Sequence, residues 1–172
     1  MTSATGRDPR IIGSLRRLDD GRGAVTMEDF YDTDIDDLWS AVTDPDRLAR
    51  WLAVVDGELR LGGRIHAKFT SDNEGPGRID VCDAPRRLRV TFEPGTPNET
   101  IVEANLTSVG SRTRLIIEER GLPLEYVPAY GAGWQTHAED LAAYLAGRER
   151  GEWLERVLEL KPVYQAIAED RA

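Results

Sequence analysis

Cysteine is almost missing from this chain. Cys82 is the only one in 172 residues, so no internal disulfide can form, and no histidine or second cysteine stands near it at metal-ligand spacing. A reducing cytoplasm is the simple expectation for such usage. Long apolar runs are missing as well: nothing approaches the ~20 residues a membrane-spanning helix needs, and no charged segment followed by an apolar run opens the chain. Positive charge is in short supply, with 22 Lys and Arg against 31 Asp and Glu and a net charge of -9. Phosphate recognition rests on a basic surface, so nucleic acid and anionic membranes are poor candidates as partners. GxGxxG, the P-loop and the serine nucleophile elbow are all missing, which leaves acyl or phosphoryl transfer without visible machinery and calls for no cofactor or metal.

What the chain does have is one long breaker-free stretch near its end. From Gly133 to Gly147, Trp134, Ala138, Leu141 and Leu145 recur on one helical stripe, while Gln135, Glu139, Ala142, Ala143 and Arg148 form a side expected to meet water. This predicts an amphipathic helix over Tyr130 to Arg148, entered through a connection flanked by Pro123 and Pro128. Nearly everything before it reads as short strands, so a sheet is its natural partner.

In order, residues 1–9 are small and polar and are expected to be flexible. Ile11 to Leu18 and Ala24 to Tyr31 read as a hairpin around Asp19, Asp20, Gly21 and Gly23. Thr33 or Asp34 caps a short helix with Asp36 and Asp37 in its first turn, and Thr43-Asp44-Pro45 stops it and starts a second. Asp56-Gly57 and Gly62-Gly63 bracket an expected short strand. Period-two alternation then marks strands at Ile65 to Phe69, Ile79 to Val81, Leu88 to Phe92, Val102 to Leu106 and Thr113 to Ile117, consecutive and joined by short turns, hence antiparallel. After Gly147 a further amphipathic piece, Trp153 to Leu160, is expected to end at Pro162.

Several stretches carry a family resemblance. DLWSAVTDPDRLARWL at 37–52, LRLGGRI at 59–65, GRIDVCDAPRRLRVTFE at 77–93, TRLIIEERGLP at 113–123 and GWQTHAEDLAAYL at 133–145 resemble the SRPBCC (START-like, helix-grip) superfamily, and within it the short bacterial branch related to the activator of heat-shock-protein ATPase. The resemblance implies an α+β fold: a curved antiparallel β-sheet wrapped around a long C-terminal α-helix, with two short helices after an N-terminal strand. It implies a helix-grip domain over 10–148, a helical extension over 149–172, and an apolar cavity between sheet and helix, because a twisted sheet cannot lie flat on a straight helix. The functions implied are binding of a small hydrophobic or aromatic molecule, an aromatase/cyclase-like reaction, or a chaperone contact. The Trp153 to Leu160 segment adds a homodimer to the expected partners.

Eight residues are candidates to face that cavity. Trp39, Trp51 and Trp134, with Phe69 and Phe92 inward by strand parity, are core packing in the simpler account and ligand-lining in the sharper one. Leu141 shares the stripe of the long helix. His137, on the apolar side of that helix, is either an edge histidine or a polar tip that orients a ligand. Asp29 shares a face with Val25, Met27 and Tyr31; it is either at a frayed strand end or a pocket carboxylate that requires a Tyr, Arg or His beside it. His66 and Cys82 are read as surface, and Arg86, Arg87 and Arg89 as strand surface paired with acids.

Overall fold

The structure is a computed structural model that describes residues 10–170; the expected flexible segment 1–9 lies outside the described residues. Eight strands form one antiparallel sheet: β1 (Gly13–Arg17), β2 (Gly23–Tyr31), β3 (Ala53–Gly57), β4 (Arg64–Phe69), β5 (Glu74–Asp83), β6 (Arg87–Phe92), β7 (Thr100–Val109) and β8 (Arg112–Leu122). Their order is β1-β2-β8-β7-β6-β5-β4-β3. Between β2 and β3 come α1 (Ile35–Thr43) and α2 (Pro45–Leu48); α3 (Val127–Leu145) and α4 (Trp153–Glu169) follow the sheet. This is the helix-grip α+β fold.

The short helices form where their caps dictate. The Asp34 carboxylate accepts from the Asp37 amide at 2.8 Å, and Asp44 accepts from the Asp46 amide at 2.9 Å with Pro45 following it in the first turn. Each cap satisfies a donor that the helix leaves free, at a worth of about 1 kcal/mol. The outer face of the sheet carries a ladder of charge: Arg16 to Glu118, Glu118 to Arg120, Arg120 to Glu103 and Glu103 to Arg87. That ladder crosses β1, β8, β7 and β6, and it accounts for Arg87 as strand surface.

Four expectations are corrected. Residues 58–61 form no strand; the chain turns there, and the strand lies earlier, at β3. Pro128 is not outside the long helix but in its first turn, where its missing amide hydrogen has no helical acceptor anyway. Pro162 does not end the last helix but sits inside α4, which continues because packing on α3 holds it. Gln135 does not meet water: it is fully buried, since α4 covers the side of α3 that faces away from the sheet.

That covering explains a buried polar group and a mid-helix glycine. The Tyr164 hydroxyl donates to Gln135 Oε1 at 2.6 Å, and Gln135 Nε2 donates to the Arg10 carbonyl at 2.7 Å, so the amide is satisfied inside the protein. Arg156 of α4 clamps Glu139 of α3 with two nitrogens at 2.7 and 2.8 Å. The helices approach closely at Gly131, where an added Cβ would stand 2.6 Å from Tyr164 Cδ1. The side of α4 carrying Val157, Leu160 and Tyr164 is thus in use within the chain, leaving Leu154 and Leu158 exposed.

The apolar interior is divided. A large cluster joins β1, β2, β7, β8 and the helices, and a small one of Ile65, Ile79 and Val90 belongs to β4, β5 and β6. The helix α3 lies against β1 and β2, so the other half of the sheet curves away from it.

Gly131→Ala tests the helix contact. Alanine is the better helix former by roughly 1 kcal/mol, yet overpacking against the Tyr164 ring costs about 1–3 kcal/mol. Thermal denaturation should show a lowered Tm; an unchanged or raised Tm would contradict the close approach.

Candidate functional site

A cavity of about 390 Å³ lies where sheet and helix diverge, between the two apolar clusters. Phe69 ends β4, Phe92 ends β6, and their rings meet edge to face with centroids 5.6 Å apart. Trp134 and His137 stand one turn apart on α3, and their rings are 5.6 Å apart. His137 is also 6.4 Å from Phe69 and 5.6 Å from Trp153 at the start of α4. These contacts form an unbroken run of rings from the sheet to both long helices.

Under Trp134 lies an ionisable group. Glu119, on β8, is 7% exposed; its Oε2 accepts from Trp134 Nε1 at 2.6 Å and its Oε1 from the Thr100 hydroxyl at 2.9 Å. Burial raises its pKa, and the two hydrogen bonds oppose that by holding the charged form. His137 moves the other way. Burial lowers its pKa to about 4, only partly offset by a hydrogen bond with the Trp51 backbone, so at neutral pH its imidazole is uncharged. Thr70 Oγ1 sits 3.4 Å from its Nδ1. A carboxyl whose pKa burial raises and a neutral imidazole therefore line one cavity, two groups able to exchange protons with whatever occupies it.

Of the eight candidates, Phe69, Phe92, Trp134 and His137 are brought together here. The other four are not. Trp51 is buried beneath α1, its indole donating to the Ala41 carbonyl at 3.0 Å, and Trp39 and Leu141 pack in the main core. Asp29 lies mid-strand, opposite Leu115, not at a frayed end. It is half-buried and paired with Arg10, whose Nη2 is 2.6 Å away, and the pair sits apart from the cavity. Glu119, Trp153 and Tyr130 are cavity residues that the candidate list lacks. Glu119 was within reach of strand parity, two residues beyond Thr113, Leu115 and Ile117. Trp153 had no such signal, because only the packing of α4 brings it to the site.

The sequence model of the family described as activator of Hsp90 ATPase homolog 1-like protein matches residues 32–146. The chain belongs to that family. The match takes in the cavity residues of β4 to α3 and stops before Trp153. Among solved structures, CalU16 from Micromonospora echinospora is similar at 25% identity, with 91% of this chain and 96% of that chain covered and a TM-score of 0.74. DynU16, from the dynemicin biosynthetic locus, is similar at 25% identity and a TM-score of 0.67, over 74% of this chain and 49% of that one. A Bordetella parapertussis protein at 22% identity, covered 87% in both chains with a TM-score of 0.65, shares the fold. No curated protein matches. Among the described residues of this family member, no three His, Cys, Asp or Glu side chains converge as a metal site would require, and no helix is long and apolar enough to cross a membrane.

The two shifted groups give opposite pH signatures. Below about 6.5 an unfolded His137 takes up a proton that the folded one refuses until about pH 4, so its burial weakens the fold as pH falls through that window. Glu119 does the reverse: its raised pKa makes the folded state lose stability as pH rises from the ordinary carboxylate value through the raised one. Glu119→Gln should therefore be more stable than the parent at pH 8, with the gap closing toward pH 4.5, in urea unfolding read by circular dichroism. A variant less stable at pH 8 would contradict the buried-charge account.

Proposed function

We propose that this protein binds a small hydrophobic or aromatic molecule in the cavity between sheet and long helix. The observation that carries the reading is the run of rings from Phe92 and Phe69 through His137 to Trp134 and Trp153, around a space of about 390 Å³. Ligand pockets span roughly 300–1,000 Å³ and combine apolar walls with a few polar groups. Here the polar groups are Glu119 and His137. Each aromatic face offers an offset or edge contact worth about 0.5–1.5 kcal/mol beyond simple burial, so a flat, unsaturated ligand gains more than a saturated one of equal size. Membership of the family, and similarity to a protein from a biosynthetic locus, support a role in handling small molecules.

A second reading, an aromatase/cyclase-like reaction, is favoured by Glu119 and His137 lining the same space. It adds a requirement for turnover to the requirement for binding, and His137→Phe separates the two: binding kept and turnover lost is the enzymatic outcome.

Ala129 lines the cavity from α3 and is half-buried, so Ala129→Phe places a ring in the space without removing a core group. In native mass spectrometry against a panel of lipids and aromatic polyketides, the parent should retain at least one ligand class, and Ala129→Phe should retain that class at least tenfold less. Equal retention by the two proteins would place the ligand elsewhere, and no retention of any class by the parent would remove the binding reading.

A further inference from the structure

The charges around this cavity are all of one sign. Glu119 lies inside it and Glu74 and Glu93 at its mouth, and no lysine or arginine among the described residues lines it. Glu118, Glu103, Glu139 and Asp29 each face an arginine. Glu119, the most deeply buried of these five, receives none among the described residues. Its neighbours in register are Val25 on β2 and Val102 on β7, and its two hydrogen bonds come from a neutral indole and a neutral hydroxyl. A buried carboxyl is costly unless a cation or a proton meets it.

The carboxyl also has capacity left. Two oxygens offer about four acceptor positions, of which Trp134 and Thr100 take two, one on each oxygen. Trp134, Trp153, Phe69 and Tyr130 line the same space, and the negative faces of aromatic rings attract organic cations.

Resting on the cavity's role as a ligand site, we propose that the ligand is an organic cation, an aromatic or hydrophobic amine or quaternary ammonium, whose charged head lies against Glu119 while its apolar body stacks among the rings. The cation supplies the counter-charge that none of the described residues provides. When Glu119 is protonated before binding, its proton leaves to solvent as the cation arrives, so affinity rises with pH. Tyr130 and His137 of α3 and Glu74 and Glu93 at the mouth are the other titratable groups around this head-group position. His137 is neutral down to about pH 4 and so adds no positive charge near neutrality, while burial together with the Glu119 charge pushes the Tyr130 phenol up, so it adds no negative charge there.

The test uses trimethyl(2-naphthylmethyl)ammonium, whose charge does not depend on pH, its uncharged carbon isostere 2-neopentylnaphthalene, and the ketone 2-acetonaphthone, in equilibrium dialysis with the full chain and with Glu119→Gln between pH 5 and 8. The ammonium should bind the full chain at least tenfold more tightly than the isostere at pH 8, with the advantage shrinking toward pH 5. Glu119→Gln should keep the isostere's affinity, lose the advantage and flatten the pH profile; Glu74 and Glu93 remain in the variant, so their titration cancels in the comparison. An isostere that binds as tightly as the ammonium would overturn the cation proposal and leave the cavity reading standing. A ketone that binds best and weakens as pH rises would make Glu119 a proton donor, which also overturns it. An ammonium advantage that survives in Glu119→Gln removes Glu119 as the counter-charge, and binding of none of the three removes the cavity reading and this proposal with it.

Discussion

A straight rod cannot follow a curled wall, and the rest of this structure depends on that mismatch. The helix α3 lies on β1 and β2, where the Tyr31 hydroxyl donates to the Ala138 carbonyl at 3.2 Å. From there the sheet bends away toward β3, and nothing among the described residues fills the wedge completely. The interior splits into a large and a small apolar cluster for the same reason. A protein interior is normally packed to crystal-like density, so a persistent gap walled by heavy rings is a feature of the architecture.

The second long helix makes the gap durable. By covering the far side of α3, α4 buries Gln135 and Tyr164 as a hydrogen-bonded pair and fixes the rod at Gly131. It also places Trp153 against His137. The same element therefore holds the helix in place and closes one side of the cavity, so loss of α4 packing and loss of the cavity are linked physically. Glu119 adds a buried carboxyl to the wall of that space. Its bond to Trp134 ties β8 to α3 across the interior.

Much of the fold was legible in the sequence because its signals are local. Aspartate caps, Pro45 in a first helical turn, and period-two alternation each act within a few residues, and they located α1, α2 and most strands. The errors arose where tertiary packing overrode local preference. Gln135 reads as solvent-facing on a helical wheel, and only the arrival of α4 buries it. Pro162 reads as a helix stop, and packing carries the helix through it. At the site, strand parity put Phe69 and Phe92 on the inner face and helical spacing put Trp134 and His137 together. It could not separate Trp51, whose indole is spent on the Ala41 carbonyl, from tryptophans that border open space. Glu119 was legible in principle from the parity of β8, but a charged residue at an inward position reads as the end of a pattern rather than as its continuation.

The indole N–H resonances of the four tryptophans test the central claim most directly, because each reports one place in the fold. On addition of 2-naphthol to the isotope-labelled protein, the signals of Trp134 and Trp153 should shift together while that of Trp51, held by the Ala41 carbonyl, stays fixed. Shifts confined to Trp51 and Trp39, or four unmoved signals at saturating naphthol, would contradict a receptive space between the curled sheet and its helix.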